Sequence, residues 1–422
     1  MKTLSETKAE SNQPPAPAEK PVNVCMHILM RGKNEVRAMR VGSALSEAGF
    51  AVSLIDVEPD PTLPAEEMID GVRLQHMLIP RWFTARRFPP FFFLIAVKTF
   101  FTSIPRLMRS RADIYHAHEL TSLPATYLVA KLRRKPLIFE AYELHLPRPE
   151  TDVAFWRVLG AFFMRLLALL LPRCQGVIAA SPRYAQELAR RYHLAEVVPL
   201  RNVPSYREVQ KTDLLRQHLG LSQETRIVLY QGAIQRNRSL DIVIRAARFW
   251  GDNIIFVMMG QKMGTTGDEL EALIASEGVG ERVKIIPPVP YDELLNWTSS
   301  ADIGLTLFSP QYSLSIQLTQ PNKLFEYLMA GLPVLSAQLD AIADVLETYD
   351  AGRVISSLAP ADVAAAIDEM LADREALERM HRNALKAAKE CCWEQDSQLL
   401  LKLYRRIARE NGLAERLPRS EA

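Results

Sequence analysis

The chain has few cysteines, and none of them stands in a pattern that marks a special site. Its 422 residues include four, at Cys25, Cys174, Cys391 and Cys392. This number is too small for a scaffold held by disulfides, and no Cys-x-x-Cys pair typical of a zinc site occurs. The sequence therefore predicts reduced thiols and a cytoplasmic location.

An excess of charge of one sign is also missing. The chain has 51 Lys and Arg against 49 Asp and Glu, a formal net charge of +2. This balance excludes nucleic acid as a partner bound by overall electrostatic attraction. No secretory signal is visible, and the polar residues 1–20 contain Pro14, Pro15 and Pro17. We expect these residues to form a disordered leader.

Long uninterrupted apolar runs are absent as well. Residues 91–107 are interrupted by Lys98, and residues 153–171 contain Arg157 and Arg165. A membrane span needs about 20 consecutive apolar residues, and a charge near its middle is costly. We therefore expect two buried or half-buried helices, with helices lying in a membrane surface as the alternative.

Acidic residues are missing between Asp70 and Asp113. This gap holds Trp82, seven phenylalanines and many cations. The cations are Arg73, Arg81, Arg86, Arg87, Lys98, Arg106, Arg109 and Arg111. Cations mixed with bulky apolar groups suit an anionic bilayer or a lipid phosphate. The pattern predicts a peripheral membrane contact through residues 81–111 at the inner face of the membrane. A helix pair with a solvated basic face is the alternative.

Short apolar runs alternate with helical patterns along the chain past residue 22. The pattern breaks at residues 200–206, where Asn202 and Pro204 mark a connection, and it restarts at Ile227. Such alternation indicates parallel sheets joined by right-handed helical crossovers. Because the chain is also too long for one ordinary core, we predict an α/β protein with domains at residues 21–204 and 205–390.

The most informative segment is QPNKLFEYLMAGLPVL at residues 320–335. Pro321 favours the start of a helix, and Gly331 favours its end. The N-terminus of a helix offers free amides and a partial positive charge to a phosphate. Glu326, within two turns of that end, is able to accept hydrogen bonds from ribose hydroxyls. A surface glutamate on a well-capped helix is the alternative.

This segment resembles the NKxFEYxxxGxPV motif of the family 4 retaining glycosyltransferases. The matching residues are Asn322, Lys323, Phe325, Glu326, Tyr327, Gly331, Pro333 and Val334. The resemblance implies the GT-B fold, in which two Rossmann-like βαβ domains face each other across a cleft. It implies an acceptor site in the first domain, a nucleotide-sugar site in the second, and a helix at residues 391–415 that packs back on the first. Asn322, Lys323, Leu324 and Glu326 are the implied nucleotide-binding residues of this segment.

A second match begins at the end of a predicted strand. Residues 230–232, YQG, resemble the phosphate-binding turn of the family, where Gly232 lets the backbone approach a diphosphate closely. Arg236 and Arg238 follow, and Arg238 occupies the position of a diphosphate-binding lysine. Both are candidate catalytic residues, because guanidinium groups suit phosphate oxygens. Gly260 matches a glycine at a strand end of the nucleotide domain.

Other positions depart from the family pattern. The first of two glutamates common in the family is Leu318 here, and the arginine after the loop glycine is Ala233. The histidine that contacts the transferred sugar is replaced by Tyr142. His118 and His145 are therefore the candidate catalytic histidines of the first domain. A purely structural histidine is the alternative.

The resemblance implies a hexosyltransferase-type enzyme (EC 2.4) that transfers sugar from a UDP- or GDP-sugar with retention of configuration. We expect no cofactor and no metal, because no DxD-like cluster stands where a metal-dependent transferase needs one. A glycan or lipid-linked acceptor is expected, in the assembly of surface polysaccharide or glycolipid. The alternatives are a nucleotide-sugar 2-epimerase of the same architecture and a non-catalytic partner subunit.

Overall fold

The structure is a computed structural model that describes residues 20–78, 89–142, 154–311 and 313–417. Most of the predicted leader, residues 81–88 of the predicted membrane contact, and His145 lie outside these ranges. Within them, two β-sheets follow one another along the chain and are flanked by helices. The α/β architecture predicted from the alternating pattern is confirmed.

The first sheet has eight strands within the described ranges, in the order β3-β4-β2-β1-β5-β6-β7-β8. Its strands are β1 Asn23–His27, β2 Ala51–Glu58, β3 Glu66–Ile69, β4 Val72–Leu78, β5 Ile114–His118, β6 Leu137–Ala141, β7 Gly176–Ala179 and β8 Val198–Pro199. Its helices are α1 Val36–Glu47, α2 Pro89–Arg109, α3 Glu119–Arg133, α4 Ala154–Leu170 and α5 Pro182–Tyr192. All neighbouring strands are parallel except β3 and β4.

The antiparallel pair β3 and β4 is one of the elements that sequence reasoning missed, together with α12 (Asp340–Tyr349) and β14 (Gly352–Ile355) of the second sheet. Asp70 and Gly71 form its turn with positive φ angles of 47° and 76°. An Asp-Gly pair is a strong signal for a hairpin of this kind. β4 lies at the start of the stretch that lacks acidic residues. The basic and aromatic residues of that stretch predict a membrane contact rather than a strand.

The second sheet has six parallel strands within the described ranges, in the order β11-β10-β9-β12-β13-β14. They are β9 Arg226–Gln231, β10 Ile254–Met259, β11 Val283–Ile286, β12 Ile303–Thr306, β13 Val334–Ala337 and β14 Gly352–Ile355. The helices are α6 Leu214–Leu219, α7 Leu240–Ala246, α8 Thr266–Glu277, α9 Leu294–Thr298, α10 Leu314–Leu318, α11 Asn322–Met329, α12 Asp340–Tyr349, α13 Pro360–Ala372, α14 Arg374–Glu390 and α15 Trp393–Glu410. Strand order reverses between β9 and β12, where parallel sheets bind ligands.

The first sheet is covered on both faces by different helices. One hydrophobic cluster joins side chains of α2, α3, α4 and α5 to one face of the sheet. A second cluster joins α1 and the C-terminal helix α15 to the opposite face. The last long helix of the chain thus packs on the first sheet. No helix in the described ranges is both long and apolar enough to cross a membrane, and the two apolar stretches lie largely in α2 and α4.

The chain passes between the two sheets twice, near Arg201 and near Trp393. The buried carboxylate of Asp396 accepts hydrogen bonds from the Arg201 main-chain N–H at 2.8 Å and from the guanidinium Nη2 at 2.5 Å. The Trp393 N–H donates to the carbonyl of Pro204 at 2.9 Å. These contacts join the two segments of the chain that connect the sheets.

Breaking this pair should destabilise the protein. We expect Asp396→Asn to lower the free energy of unfolding by about 3 kcal/mol, because it leaves a largely buried guanidinium without its counter-charge. The measurement is the urea midpoint followed by circular dichroism. Glu196→Gln is the matched control: its carboxylate pairs with Arg406 at 2.6 Å on the exposed surface, where about 0–1 kcal/mol is expected. Equal effects of the two changes would contradict this prediction.

Candidate active site

The position of α11 is fixed by one tyrosine hydroxyl. Tyr327 accepts a hydrogen bond from the Gln231 N–H at 3.0 Å, and it donates to the Leu229 carbonyl at 3.2 Å. Both partners belong to β9. Its ring lies against Gly304 in β12, where any Cβ atom would come within 2.6 Å of the ring. These contacts hold α11 beside the carboxyl ends of β9 and β12, at the point where strand order reverses.

Glu326 is buried, so the alternative of a surface glutamate is wrong. It is 8% exposed, and its Oε2 accepts a hydrogen bond from Gln231 Nε2 at 2.6 Å. Gln231 Oε1 in turn accepts from Thr298 Oγ1 at 2.7 Å. Burial raises the pKa of Glu326, and the Gln231 hydrogen bond opposes that shift. Sequence reasoning missed Gln231 and Thr298, because neither belongs to the motif that pointed to Glu326.

Lys323, one turn before Glu326 on α11, and the nearby Arg238 both rest on aromatic rings. Lys323 Nζ lies 3.7 Å from the centre of the Tyr230 ring, and Arg238 Cζ lies 4.7 Å from that of Phe308. Among the described residues, neither cation has a carboxylate oxygen within ion-pairing distance. Burial and the nearby Arg238 hold the pKa of Lys323 well below its ordinary value, while Glu326 opposes the shift. The cluster is therefore a site of uncompensated positive potential suited to an anion.

Two glycines shape the loop beside these cations. Gly232 has a φ of +115°, and a Cβ there would lie 3.4 Å from Lys323 Nζ. A Cβ at Gly260 would lie 1.9 Å from the carbonyl oxygen of Gly232. The structure thus places Gly232 at the cation cluster. Gly260 allows the neighbouring strand end to support the loop at close range.

Three predicted residues are placed differently. Arg236 is 76% exposed and pairs with Glu269 on α8 at 2.6 Å, so it does not join the cation cluster. The side chain of Leu324 is part of the hydrophobic core, and its N–H donates to the Pro321 carbonyl at 3.0 Å. Asn322 is exposed at the first position of α11. The main-chain amides at the start of α11 that the resemblance implies for phosphate binding are therefore those of Asn322 and Lys323.

In the first domain, His118 belongs to a buried polar network. Its Nδ1 lies 2.8 Å from the Tyr142 hydroxyl and 3.0 Å from Glu140 Oε2. Arg37 Nε donates to the other oxygen of Glu140 at 2.6 Å. Burial alone would raise the pKa of Glu140, but Arg37, His116 and His118 hold it well below its ordinary value. His118 is fully buried, and the half-buried Tyr142 is the more accessible member of this pair.

The same network contains a set of donor atoms with metal-like spacing. Ligand atoms of His116, His118 and Glu140 lie within 4.8 Å of one another. The Tyr404 hydroxyl already lies 2.8 Å from His116 Nδ1. Burial lowers the pKa of His116 to about 4, so this histidine is neutral near pH 7. Arg37 is then the main positive charge that compensates Glu140. The guanidinium of Arg37 opposes the binding of a metal cation at the same carboxylate.

The two domains meet across a short polar interface. Ser181 Oγ, at the start of α5, donates to the Leu318 carbonyl at 2.5 Å. Arg183 forms two hydrogen bonds with the Asp344 carboxylate, at 2.6 and 2.7 Å. The Leu318 side chain packs into the hydrophobic cluster of the first domain. Leu318, which stands where the family commonly has a glutamate, therefore contributes to the contact between the domains.

Two family descriptions match consecutive parts of the chain. "Glycosyltransferase Family 4" matches residues 35–201, and "Glycosyl transferases group 1" matches residues 211–387. Together they cover every strand of the two sheets except β1. The chain belongs to glycosyltransferase family 4. The transferase therefore has the GT-B fold and uses a nucleotide-sugar donor, as its cation cluster and buried glutamate suggest.

Individual relatives agree with this assignment. The transferase is 25% identical over 401 residues to D-inositol 3-phosphate glycosyltransferase 1 of Catenulispora acidiphila, covering 89% of this chain and 90% of the relative. Sucrose-phosphate synthase of Thermosynechococcus elongatus superimposes with a TM-score of 0.74 at 16% identity, over 92% of this chain and all of the other. Anabaena Alr3699/HepE, solved with UDP-glucose, gives a TM-score of 0.62 at 13% identity over 92% and 99% of the two chains.

A ribose contact by Glu326 has a measurable consequence. We expect Glu326→Gln to weaken UDP binding about tenfold or more, because hydrogen bonds to a charged group are strong. Calorimetry should also show that wild-type protein prefers UDP to 2′-deoxy-UDP, and that Glu326→Gln loses most of this preference. Arg236→Gln, which removes an exposed ion pair outside the cluster, is the control. A preference unchanged in Glu326→Gln would exclude the ribose contact.

The lowered pKa of Lys323 predicts that diphosphate binding takes up a proton. A bound diphosphate favours the charged lysine and raises its pKa, so protein and ligand gain a proton at pH values between the free and bound pKa. Affinity should then fall as pH rises through that window. Binding enthalpies of UDP in buffers of different ionisation enthalpy measure the uptake. Equal uptake by wild type and Lys323→Gln would assign it to another group, such as Glu326.

Proposed function

We propose that the enzyme transfers a hexosyl unit from a nucleoside diphosphate sugar to an acceptor with retention of configuration and without a metal ion. The observation that carries this proposal is the pair of neighbouring cations, Lys323 and Arg238, that lack carboxylate partners within the described residues. Buried Glu326 follows Lys323 by one turn of α11. This arrangement supplies positive charge for a diphosphate and an acceptor of hydrogen bonds for a ribose.

The proposed chemistry depends on stabilising the leaving group. When the bond between the sugar and the diphosphate breaks, negative charge grows on the diphosphate while the sugar gains oxocarbenium character. Lys323 and Arg238, already held by aromatic rings, stabilise that charge without reorganising. The departing diphosphate accepts the proton of the incoming hydroxyl. The protein then contributes mainly position and electrostatics.

The proposed acceptor is a glycan or a lipid-linked sugar at the inner face of the membrane, in surface polysaccharide or glycolipid assembly. The basic and aromatic character of residues 81–111 supports this proposal. The name of the Catenulispora relative indicates a different acceptor for that protein, D-inositol 3-phosphate. Both acceptor classes therefore belong in the same assay.

A non-catalytic role in a larger assembly is the second candidate. Two observations favour it: Tyr142 stands where the family has a sugar-contacting histidine, and Leu318, at the position of a family glutamate, packs against the first domain. This candidate keeps nucleotide binding and loses turnover, so a single assay separates it from the transferase.

The test is release of free nucleoside diphosphate from UDP- and GDP-sugars, with D-inositol 3-phosphate or a polyprenyl-linked sugar as acceptor. We expect acceptor-dependent release that EDTA changes by less than about twofold, because fixed cations replace a metal. An α-linked product from an α-linked donor would establish retention. Complete loss with EDTA would contradict the proposal, interconversion of the donor sugar would indicate an epimerase, and binding without release would indicate a non-catalytic subunit.

A further inference from the structure

The helical layer formed by α2, α3 and α4 has a one-sided charge distribution. Acidic residues are missing from residues 71–112, 120–139 and 153–186. The cations of this layer with described surroundings are Lys98, Arg106, Arg109, Arg111, Lys131, Arg133, Arg134, Lys135, Arg165 and Arg173. Between these stretches, Asp113, Glu119 and Glu140 are buried, and Asp113 pairs with Lys135 at 3.3 Å. Glu143, Glu150 and Asp152 lie outside the described residues. The outer surface of the layer therefore carries a positive potential.

Several of these cations have main-chain rather than carboxylate partners within the described ranges. Arg106, Arg133 and Arg173 each donate a hydrogen bond to a main-chain carbonyl of the same layer. A carbonyl fixes the direction of a guanidinium group but leaves its charge in place. By contrast, Arg183, Arg201, Arg216 and Arg226, which lie outside these three helices, pair with carboxylates.

Large apolar side chains emerge from the same surface. On α4, more than half of each of the side chains of Val158, Phe162 and Leu169 is exposed. Their spacing of four and then seven residues places them on one side of the helix, and exposed Arg165 lies between them. The opposite side of α4 packs into the hydrophobic cluster through Leu167.

The neighbouring helices continue this surface. α3 lies against both α2 and α4, and it exposes Leu128 and Leu132 one turn apart with Lys131 beside them. α2 exposes Phe101 together with Lys98 and Arg109. All three helices pack on the same face of the first sheet, so their exposed residues look outward from one layer.

We propose that this layer rests on an anionic lipid bilayer, with the α4 residues Val158, Phe162 and Leu169 inserted among the lipids. Cations around inserted apolar side chains complement acidic headgroups, which a neutral surface does not provide. A second copy of the chain fits less well, because a symmetric contact through this face would bring two positive surfaces together. The proposed docking surface thus includes α3 and α4 in addition to the described part of α2.

Vesicle co-sedimentation tests the apolar part of the proposal. The wild-type protein should bind vesicles of phosphatidylcholine and phosphatidylglycerol, and it should bind pure phosphatidylcholine poorly. Phe162→Ser with Leu169→Ser should weaken binding about tenfold or more, because two large apolar side chains no longer leave water. Phe249→Ser is the matched control, since Phe249 is 59% exposed on the second domain and Phe162 is 57% exposed. Its binding should equal that of the wild type.

Charge reversal tests the electrostatic part. Arg109→Glu, Lys131→Glu and Arg165→Glu together should abolish the preference for acidic vesicles, whereas Arg374→Glu, Arg382→Glu and Lys386→Glu on α14 change the net charge equally and should not. Loss of binding by both triple variants would indicate that net charge alone acts. Urea midpoints and UDP-induced thermal shifts show that each variant is folded and binds nucleotide.

Three outcomes would overturn the proposal: no binding of wild type to acidic vesicles, equal binding by the α4 variant and wild type, or a wild-type dimer that Phe162→Ser and Leu169→Ser dissociate. The last result would assign the surface to self-association. Failure of the transferase assay with intact vesicle binding would contradict the proposed reaction and leave the docking surface in place.

Discussion

The candidate donor site depends on how α11 is attached to the second sheet. The Tyr327 hydroxyl is bound by the N–H of Gln231 and the carbonyl of Leu229, both in β9. Because the helix cannot shift along the strand without breaking these bonds, Lys323 and Glu326 are held beside the Gly232 loop. Hydrogen bonds from one side-chain hydroxyl to the main chain of β9 thus help to position the site, and such fixed positioning is the preorganisation that electrostatic stabilisation requires.

Buried charged residues have different kinds of partner in the two domains. In the first domain, Glu140 is surrounded by Arg37, His116 and His118, and Arg37 also donates to the Leu200 carbonyl at the start of the connection. Arg37 thus compensates the charge of Glu140, while His116 Nε2 and His118 Nε2 are buried without a hydrogen-bond partner among the described residues. In the second domain, Lys323 and Arg238 find aromatic faces instead of carboxylates, and their charge stays available for a ligand. The contrast separates a structural charge network from a binding one.

The first sheet also has two unlike faces. α1 and α15 close one face, and the buried Tyr404 hydroxyl reaches from α15 to His116. The α2–α3–α4 layer closes the other face and presents cations and apolar side chains outward. An enzyme whose nucleotide site lies in the second domain is thereby free to use the outer layer of the first domain for orientation on a surface.

The sequence by itself determined the α/β class, the alternation of strands and helices, and the motif around Glu326, since local apolar periodicity and helix-terminal residues carry these features. It did not determine which charged residues converge. Arg236 and Arg238 are both candidate catalytic residues in the sequence, yet Arg236 pairs with Glu269 and Arg238 stacks on Phe308. His118 is a candidate catalytic residue in the sequence and a buried partner of Glu140 in the fold. These outcomes depend on contacts between residues far apart in the chain, and only tertiary packing decides the partner, the burial and thus the charge that each residue presents.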